Sequence, residues 1–268
     1  MLAETIDIWK DIDYPYKADG FTVKLDTYIL KGSKQRPAVL VCPGGGYTHT
    51  SPREAEAIAI KFNAMGYHSF VLYYSVAPRK HPQPLMDLAR SMCIIRENAT
   101  QWNIISDKIA VCGFSAGSHL AASLGVHWDK EYLNSQEGID ISLTKPNALI
   151  LSYPVITEGI FAHKGSFENL LGKAAPQALR DEMSIEKQIR ENMPPVFIWH
   201  TFEDKTVPIE NSLLLAKALR EKNNPFELHI YPAGSHGLSL ATAETDKIQE
   251  GVETWIDLCK KWLEITFR

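Results

Sequence analysis

Ile109-Ala110-Val111-Cys112-Gly113-Phe114-Ser115-Ala116-Gly117-Ser118-His119-Leu120-Ala121-Ala122 is the stretch whose reading decides the fold. Ile109–Cys112 is a short apolar run of strand type, 113–117 spells G-x-S-x-G, and the small residues after it begin a helix. A strand–turn–helix of this kind holds the serine in a strained backbone conformation that lifts its Oγ clear of the sheet. The flanking residues are glycine because a Cβ on either would collide with neighbouring backbone. A serine at the start of a helix also has backbone N–H groups and the positive end of the helix dipole beside it, ready for developing negative charge. Ser115 is therefore a candidate nucleophile; the alternative is a plain glycine-rich turn.

On either side of this stretch, apolar runs alternate with helical patterns. Strands are expected at Ala38–Cys42, Ser69–Tyr74, Ile109–Cys112, Ala148–Tyr153, Val196–His200 and Phe226–Tyr231. Helices are expected over Arg53–Met65, where Ala55, Ile58, Phe62 and Met65 share a face and Gly66 supplies the stop, from near Pro84, and from near Thr245 to the C-terminal region. This order predicts an α/β fold with a mostly parallel central sheet and helices on both faces. Before residue 34 two strand-like segments, Thr5–Trp9 and Phe21–Leu30, have no convincing helix between them and suggest an antiparallel edge. Residues 157–193 offer no strand and read as a short cap inserted into one domain spanning 1–268.

A nucleophilic serine needs donors for the oxyanion, and Cys42-Pro43-Gly44-Gly45-Gly46-Tyr47 follows the first central strand, where such a loop belongs. No Lys-Ser/Thr follows it and no G-x-G-x-x-G spacing is met, so a nucleotide-phosphate cradle is disfavoured. The expected donors are the N–H groups of Gly45, Gly46 and Ala116. Of nine histidines, His68, His200 and His229 fall in or beside strands and His119 lies one turn into the elbow helix, where it is expected to pack. His236, in the loop Pro232-Ala233-Gly234-Ser235-His236-Gly237 beyond the last strand, is the candidate base. Asp204, in the loop after Val196–His200, is the candidate acid, with Glu203 as its rival. The chain order Ser115, Asp204, His236 belongs to one architecture.

These features resemble the α/β-hydrolase-fold esterases, in particular the acetyl-esterase and acetyl-xylan-esterase-like group of sugar-ester hydrolases. The resemblance rests on Pro43–Tyr47, Tyr74-Ser75-Val76-Ala77-Pro78 with His81-Pro82-Gln83-Pro84 and Asp87, Ile109–Leu120, Ser152-Tyr153-Pro154-Val155, Pro194–His200 leading to Asp204, and Gly234-Ser235-His236-Gly237. It implies an α/β-hydrolase fold and hydrolysis of a carboxylic ester, with a sugar as the alcohol side, through an acyl-enzyme on Ser115, and it calls for no metal or cofactor. Two positions depart from the group: Pro43 stands where many relatives have histidine, and Ser75 where they have arginine. The short cap and the bulky Tyr47, Phe114 and Phe161 favour a small acyl group, with Tyr47 and Phe114 as candidate substrate-binding residues. An amide- or formamide-cleaving enzyme or small peptidase of the same fold is the alternative, and an inert hydrolase-like binding module is the reading from another class.

Composition sets the outer bounds. The 268 residues are 45% hydrophobic and 22% charged, with a net charge of −4. This is an ordinary globular balance without the basic footprint of a nucleic-acid or membrane-surface binder. Cys42, Cys93, Cys112 and Cys259 form no C-x-x-C pair, which argues against zinc or a disulfide framework. No signal-peptide pattern opens the chain and no long apolar run is found. A cytoplasmic protein acting on a small uncharged ester, with no nucleic-acid or membrane partner, is expected.

Overall fold

The computed structural model describes residues 1–12, 14 and 20–268. One sheet contains β1 (Leu2–Asp7), β2 (Lys24–Ile29), β3 (Arg36–Cys42), β4 (His68–Tyr73), β5 (Ile104–Phe114), β6 (Ala148–Ser152), β7 (Val196–Thr201) and β8 (Phe226–Tyr231). Their spatial order is β1-β2-β4-β3-β5-β6-β7-β8. From β4 to β8 every neighbour is parallel, while β1 and β2 add an antiparallel edge. The helices among the described residues are α1 (Glu56–Ala64), α2 (Gln83–Glu97), α3 (Ala99–Trp102), α4 (Ala116–His127), α5 (Glu131–Asn134), α6 (Lys164–Leu171), α7 (Gln177–Glu182), α8 (Glu210–Glu221) and α9 (Trp255–Thr266).

Strand alternation sends Ala38, Leu40 and Cys42 of β3 into one core and Val39 and Val41 into the other. The first core is closed by Leu88 and Met92 of α2, Leu120 and Leu124 of α4 and Leu215 and Leu219 of α8. The second is closed by Ile58 and Phe62 of α1 and Trp255, Cys259 and Trp262 of α9. Burial on both faces explains why the central strands are near-continuous apolar runs. The loops carrying the candidate site all leave the C-terminal ends of parallel strands, where open α/β sheets place their ligands.

The six central strands fall where expected within a few residues, but two other elements are corrected. The first edge strand is Leu2–Asp7, not Thr5–Trp9. Trp9 leaves the sheet because its indole N–H donates to the buried Asp87 carboxylate at 2.8 Å and its ring stacks on Tyr14. The stretch between the two edge strands includes residues 13 and 15–19, which lie outside the described residues. At the other end the last helix begins at Trp255 and not near Thr245. Asp246 and Gly251 both have positive φ, which breaks the helical path, and Ile248 between them is 76% exposed.

Between β6 and β7 the chain forms α6, α7 and a 3-10 turn at Ile185–Lys187, and no strand among the described residues. Among the described residues no helix is long and apolar enough to cross a membrane.

Candidate active site

Ser115 sits between the end of β5 and the start of α4 with φ 53° and ψ −115°, a conformation that costs a non-glycine residue about 1–3 kcal/mol. The surrounding packing enforces it. A Cβ on Gly117 would strike the Cys42 carbonyl, and one on Gly113 would strike the Gly117 carbonyl and Ser118 backbone. The elbow is therefore locked against the end of β3, the strand that feeds the glycine loop.

His236 Nε2 lies 2.8 Å from Ser115 Oγ, and His236 Nδ1 lies 2.6 Å from Asp204 Oδ2. With the carboxylate as acceptor, Nδ1 carries the proton and Nε2 is free to accept the serine hydroxyl. Asp204 Oδ1 accepts the N–H groups of Thr206 and Val207 at 2.9 and 3.0 Å. His200 Nε2 approaches Asp204 Oδ2 at 3.3 Å and the Val207 carbonyl at 3.1 Å. Both partners only accept, so Nε2 carries the proton, and Nδ1, at 2.8 Å, accepts the Ser212 hydroxyl. Burial pushes the Asp204 carboxyl up, but the hydrogen bonds from His200 and His236, the His236 charge and the Val207 N–H outweigh it. The group is held well below the ordinary carboxylate range and stays ionised. Glu203, the rival acid, turns away and accepts the Gly234 N–H at 3.2 Å.

Each glycine-loop peptide is fixed through its carbonyl. Gly44 O accepts the Ser51 N–H at 2.9 Å, and Gly45 O accepts the N–H and hydroxyl of Thr48 at 3.0 and 2.8 Å. In a trans peptide the N–H opposes the C=O, so the N–H groups of Gly45 and Gly46 are directed away from these partners. Among the described residues the N–H groups of Gly45, Gly46 and Ala116 have no acceptor. A Cβ on Gly44 would lie 3.1 Å from Ser115 Cβ, which puts this loop directly against the serine.

Residues 25–219 match the BD-FAE family. The chain belongs to this α/β-hydrolase family. It is 43% identical over 243 residues to endo-1,4-beta-xylanase B of Butyrivibrio fibrisolvens, covering 89% of this chain and 38% of that protein. It is 30% identical to the acetylxylan esterase of Xylanibacter ruminicola, covering 82% of this chain and 45% of that one. The chain thus spans less than half the length of either relative. The crystal structure of an acetyl ester-xyloside bifunctional hydrolase from Caldicellulosiruptor lactoaceticus is 41% identical and superposes with a TM-score of 0.89, covering 98% of this chain and 96% of that one.

In this BD-FAE chain the two candidate substrate-binding aromatics part company. Phe114 is fully buried in the second core against Tyr153 and Trp255 and shows no surface to a ligand, because the residue before the elbow serine points to the opposite face of the sheet. Tyr47 is also buried, but in the first core, and the gap it lines with His119, Val155, Ser166, Phe167 and Leu170 is too small to admit a water molecule. The Ser115 carbonyl accepts the N–H groups of His119 and Val155, two residues of that lining. His119 packs as expected. Its Nε2 donates to the Met183 carbonyl, its Nδ1 accepts the Tyr47 hydroxyl, and burial pushes it down to about 4.

Sequence reading missed several members of the site. His200 lies in strand β7 as its sequence reading has it, but its contact with Asp204 is one that no strand pattern announces. Glu54 was read within a helical pattern; it is instead buried, accepting the Gly44 N–H at 2.8 Å and the Tyr153 hydroxyl at 2.5 Å. With the Tyr74 hydroxyl on the Pro43 carbonyl at 2.6 Å, it braces the loop at Pro43. Ser75 gives its N–H to Asp87 at 2.8 Å. From α6, Asn169 Nδ2 donates to Gly46 O at 2.8 Å, a contact no local pattern announced. Among the described residues no group of three His, Cys, Asp or Glu side chains gathers as metal ligands.

Proposed function

We propose that this chain is a serine esterase that hydrolyses short-acyl esters, acetyl esters of sugars above all. The observation that carries the reading is the hydrogen-bonded line Ser115 Oγ, His236, Asp204 beside the unengaged N–H groups of Gly45, Gly46 and Ala116. In this mechanism Ser115 Oγ attacks the ester carbonyl while His236 Nε2 takes its proton. The carbonyl oxygen becomes an oxyanion on the three N–H groups, and Asp204 stabilises the imidazolium. Collapse breaks the bond to the alcohol, which leaves with the proton from His236. Water, deprotonated by the same nitrogen, then attacks the acyl-enzyme and releases the acid and free Ser115.

The acyl preference is supported by the tight packing of Tyr47 and Phe167 around His119 of the elbow helix, which leaves no space for a long acyl chain there. The sugar side is supported by the acetylxylan esterase and acetyl ester-xyloside hydrolase among the similar proteins. We read residues 157–193 as a small cap on a single catalytic domain, with α6 touching the oxyanion loop through Asn169. Residence in the cytoplasm belongs to the same proposal, and recovery of the chain from the periplasm or the medium on cell fractionation would overturn it.

Ser115→Ala is expected to lower kcat by about 10⁵-fold with an unchanged melting temperature. Activity retained in that variant would defeat the serine mechanism. A p-nitrophenyl ester series should peak at acetyl, and a maximum at octanoyl would defeat the short-acyl reading. Acetylated xylose should exceed an alkyl acetate in kcat/KM, and the reverse order would remove the sugar.

A further inference from the structure

We infer that Glu54 is a positioning residue that ties the oxyanion loop to the loop carrying His236, an inference that rests on the serine-esterase reading above. Its carboxylate is 3% exposed, and both of its hydrogen-bond partners are uncharged: the Gly44 N–H at Oε2 and the Tyr153 hydroxyl at Oε1. Desolvating a carboxylate against neutral donors is costly, so a side chain wanted only for packing would be better apolar. What distinguishes this pair of partners is where each leads.

On one side, Glu54 holds the N–H of Gly44 while Ser51 holds its carbonyl. Residue 44 is pinned from both ends, and with it the 44–45 peptide whose N–H is the first oxyanion donor. On the other side, burial and then the Glu54 charge push the Tyr153 phenol well above its ordinary value, so it stays protonated and donates to the carboxylate. The same oxygen accepts the N–H of Ser239, three residues beyond His236, at 3.0 Å. The Tyr153 ring meets the imidazole edge-on with centroids 5.0 Å apart. One carboxylate thus sets the distance between the group that receives the oxyanion and the group that moves the proton, two parts that β3 and β8 deliver separately. Glutamine can accept from Gly44 but cannot also accept from the tyrosine hydroxyl through its NH₂.

The test is steady-state kinetics on p-nitrophenyl acetate, normalised to sites titrated with a fluorophosphonate, for Glu54→Gln, Glu54→Ala and Tyr153→Phe. Expected are losses in kcat of about 10-fold, 100-fold and 10-fold, with KM changed by less than about twofold, since the donors are misplaced for the transition state rather than the substrate. A purely structural Glu54 would lower the melting temperature and the fraction of titratable sites while kcat per titrated site held at the wild-type value, and that result overturns the inference. A faster Glu54→Gln enzyme would overturn it too. Should Glu54→Ala fail to fold, Glu54→Gln and Tyr153→Phe carry the same test. Ser115→Ala separates the two levels of claim: if it is inactive while the Glu54 variants keep wild-type kcat, only the present inference fails, and if it stays active the esterase reading itself fails.

Discussion

The elbow around Ser115 and the loop around His236 meet at one hydrogen bond of 2.8 Å, yet they are held by different means. The elbow is fixed by contact. Gly113 and Gly117 lie so close to backbone that no side chain fits, and α4 and β5 bury the residues on both sides. The His236 loop is fixed by tethers from far along the chain. Arg53 donates to Gly237 O at 2.9 Å, Lys247 to His236 O at 2.7 Å and Thr201 to Gly234 O at 2.8 Å, while Glu203 accepts the Gly234 N–H. A nucleophile that must hold a strained φ needs packing that cannot relax. A base that must turn between serine and leaving group is better served by hydrogen bonds, which set a position and leave the ring its small rotation.

The largest effect expected from this difference is at the elbow. Gly117→Ala puts a methyl group against the Cys42 and Pro43 carbonyls, both main chain, so β3 or α4 has to move. A loss of about 3 kcal/mol in a urea melt is expected, with activity falling alongside it; a variant as stable and active as the parent would mean that the elbow is not locked by contact. A smaller effect is expected at the loop. Arg53→Met removes two donors, to Gly237 O and to Thr245 O at 3.3 Å, and leaves packing in place. Here kcat should fall about 10-fold while the melting temperature moves little, because what is lost is the aim of His236 and not the core. An unfolded Arg53→Met would show that the loop, too, is held by packing.

The same contrast explains what could be read from the sequence. Steric locking is local, so it leaves a local signature: strand, G-x-S-x-G and helix are contiguous, and the triplet 44–46 follows its strand directly. Asp204 and His236 were legible because each lies in a short loop just past an apolar run, and chain order supplied the rest. Tethers leave no such signature. The Arg53 to Gly237 and Glu54 to Tyr153 contacts join residues whose spacing carries no periodicity, and Glu54 was hidden because a 3-10 turn at Pro52–Glu54 precedes α1 where a single helix was expected. Phe114 was misassigned for the complementary reason. Its bulk suggested a wall of the acyl site, whereas successive residues at a strand end point to opposite faces and its ring lies in the second core.

The smallest effect separates the two regions by their histidines. His119, one turn after Ser115, is buried and pushed down to about 4, and desolvation pushes the half-buried His81 down to about 4 as well. In the unfolded chain a histidine titrates near pH 6.5, so between about pH 6.5 and 4 the unfolded state binds protons that the folded state refuses. Stability should therefore fall as pH is lowered through that window and level off below it as far as these groups are concerned. His119→Gln keeps an acceptor for the Tyr47 hydroxyl and a donor for the Met183 carbonyl but removes the titration. Its unfolding free energy, measured by urea at steps between pH 7 and 4, should lose up to about 1.4 kcal/mol per pH unit of the parent's slope, with the shares of His81, His68, His127 and His163, all lowered by burial, left over. Asp204 acts in the same sense: its carboxyl too is lowered, so its contribution is present above about pH 4 and lost only below it, outside the histidine window. A slope unchanged in His119→Gln would place the acid sensitivity elsewhere and would remove the rigid, desolvated elbow from the comparison.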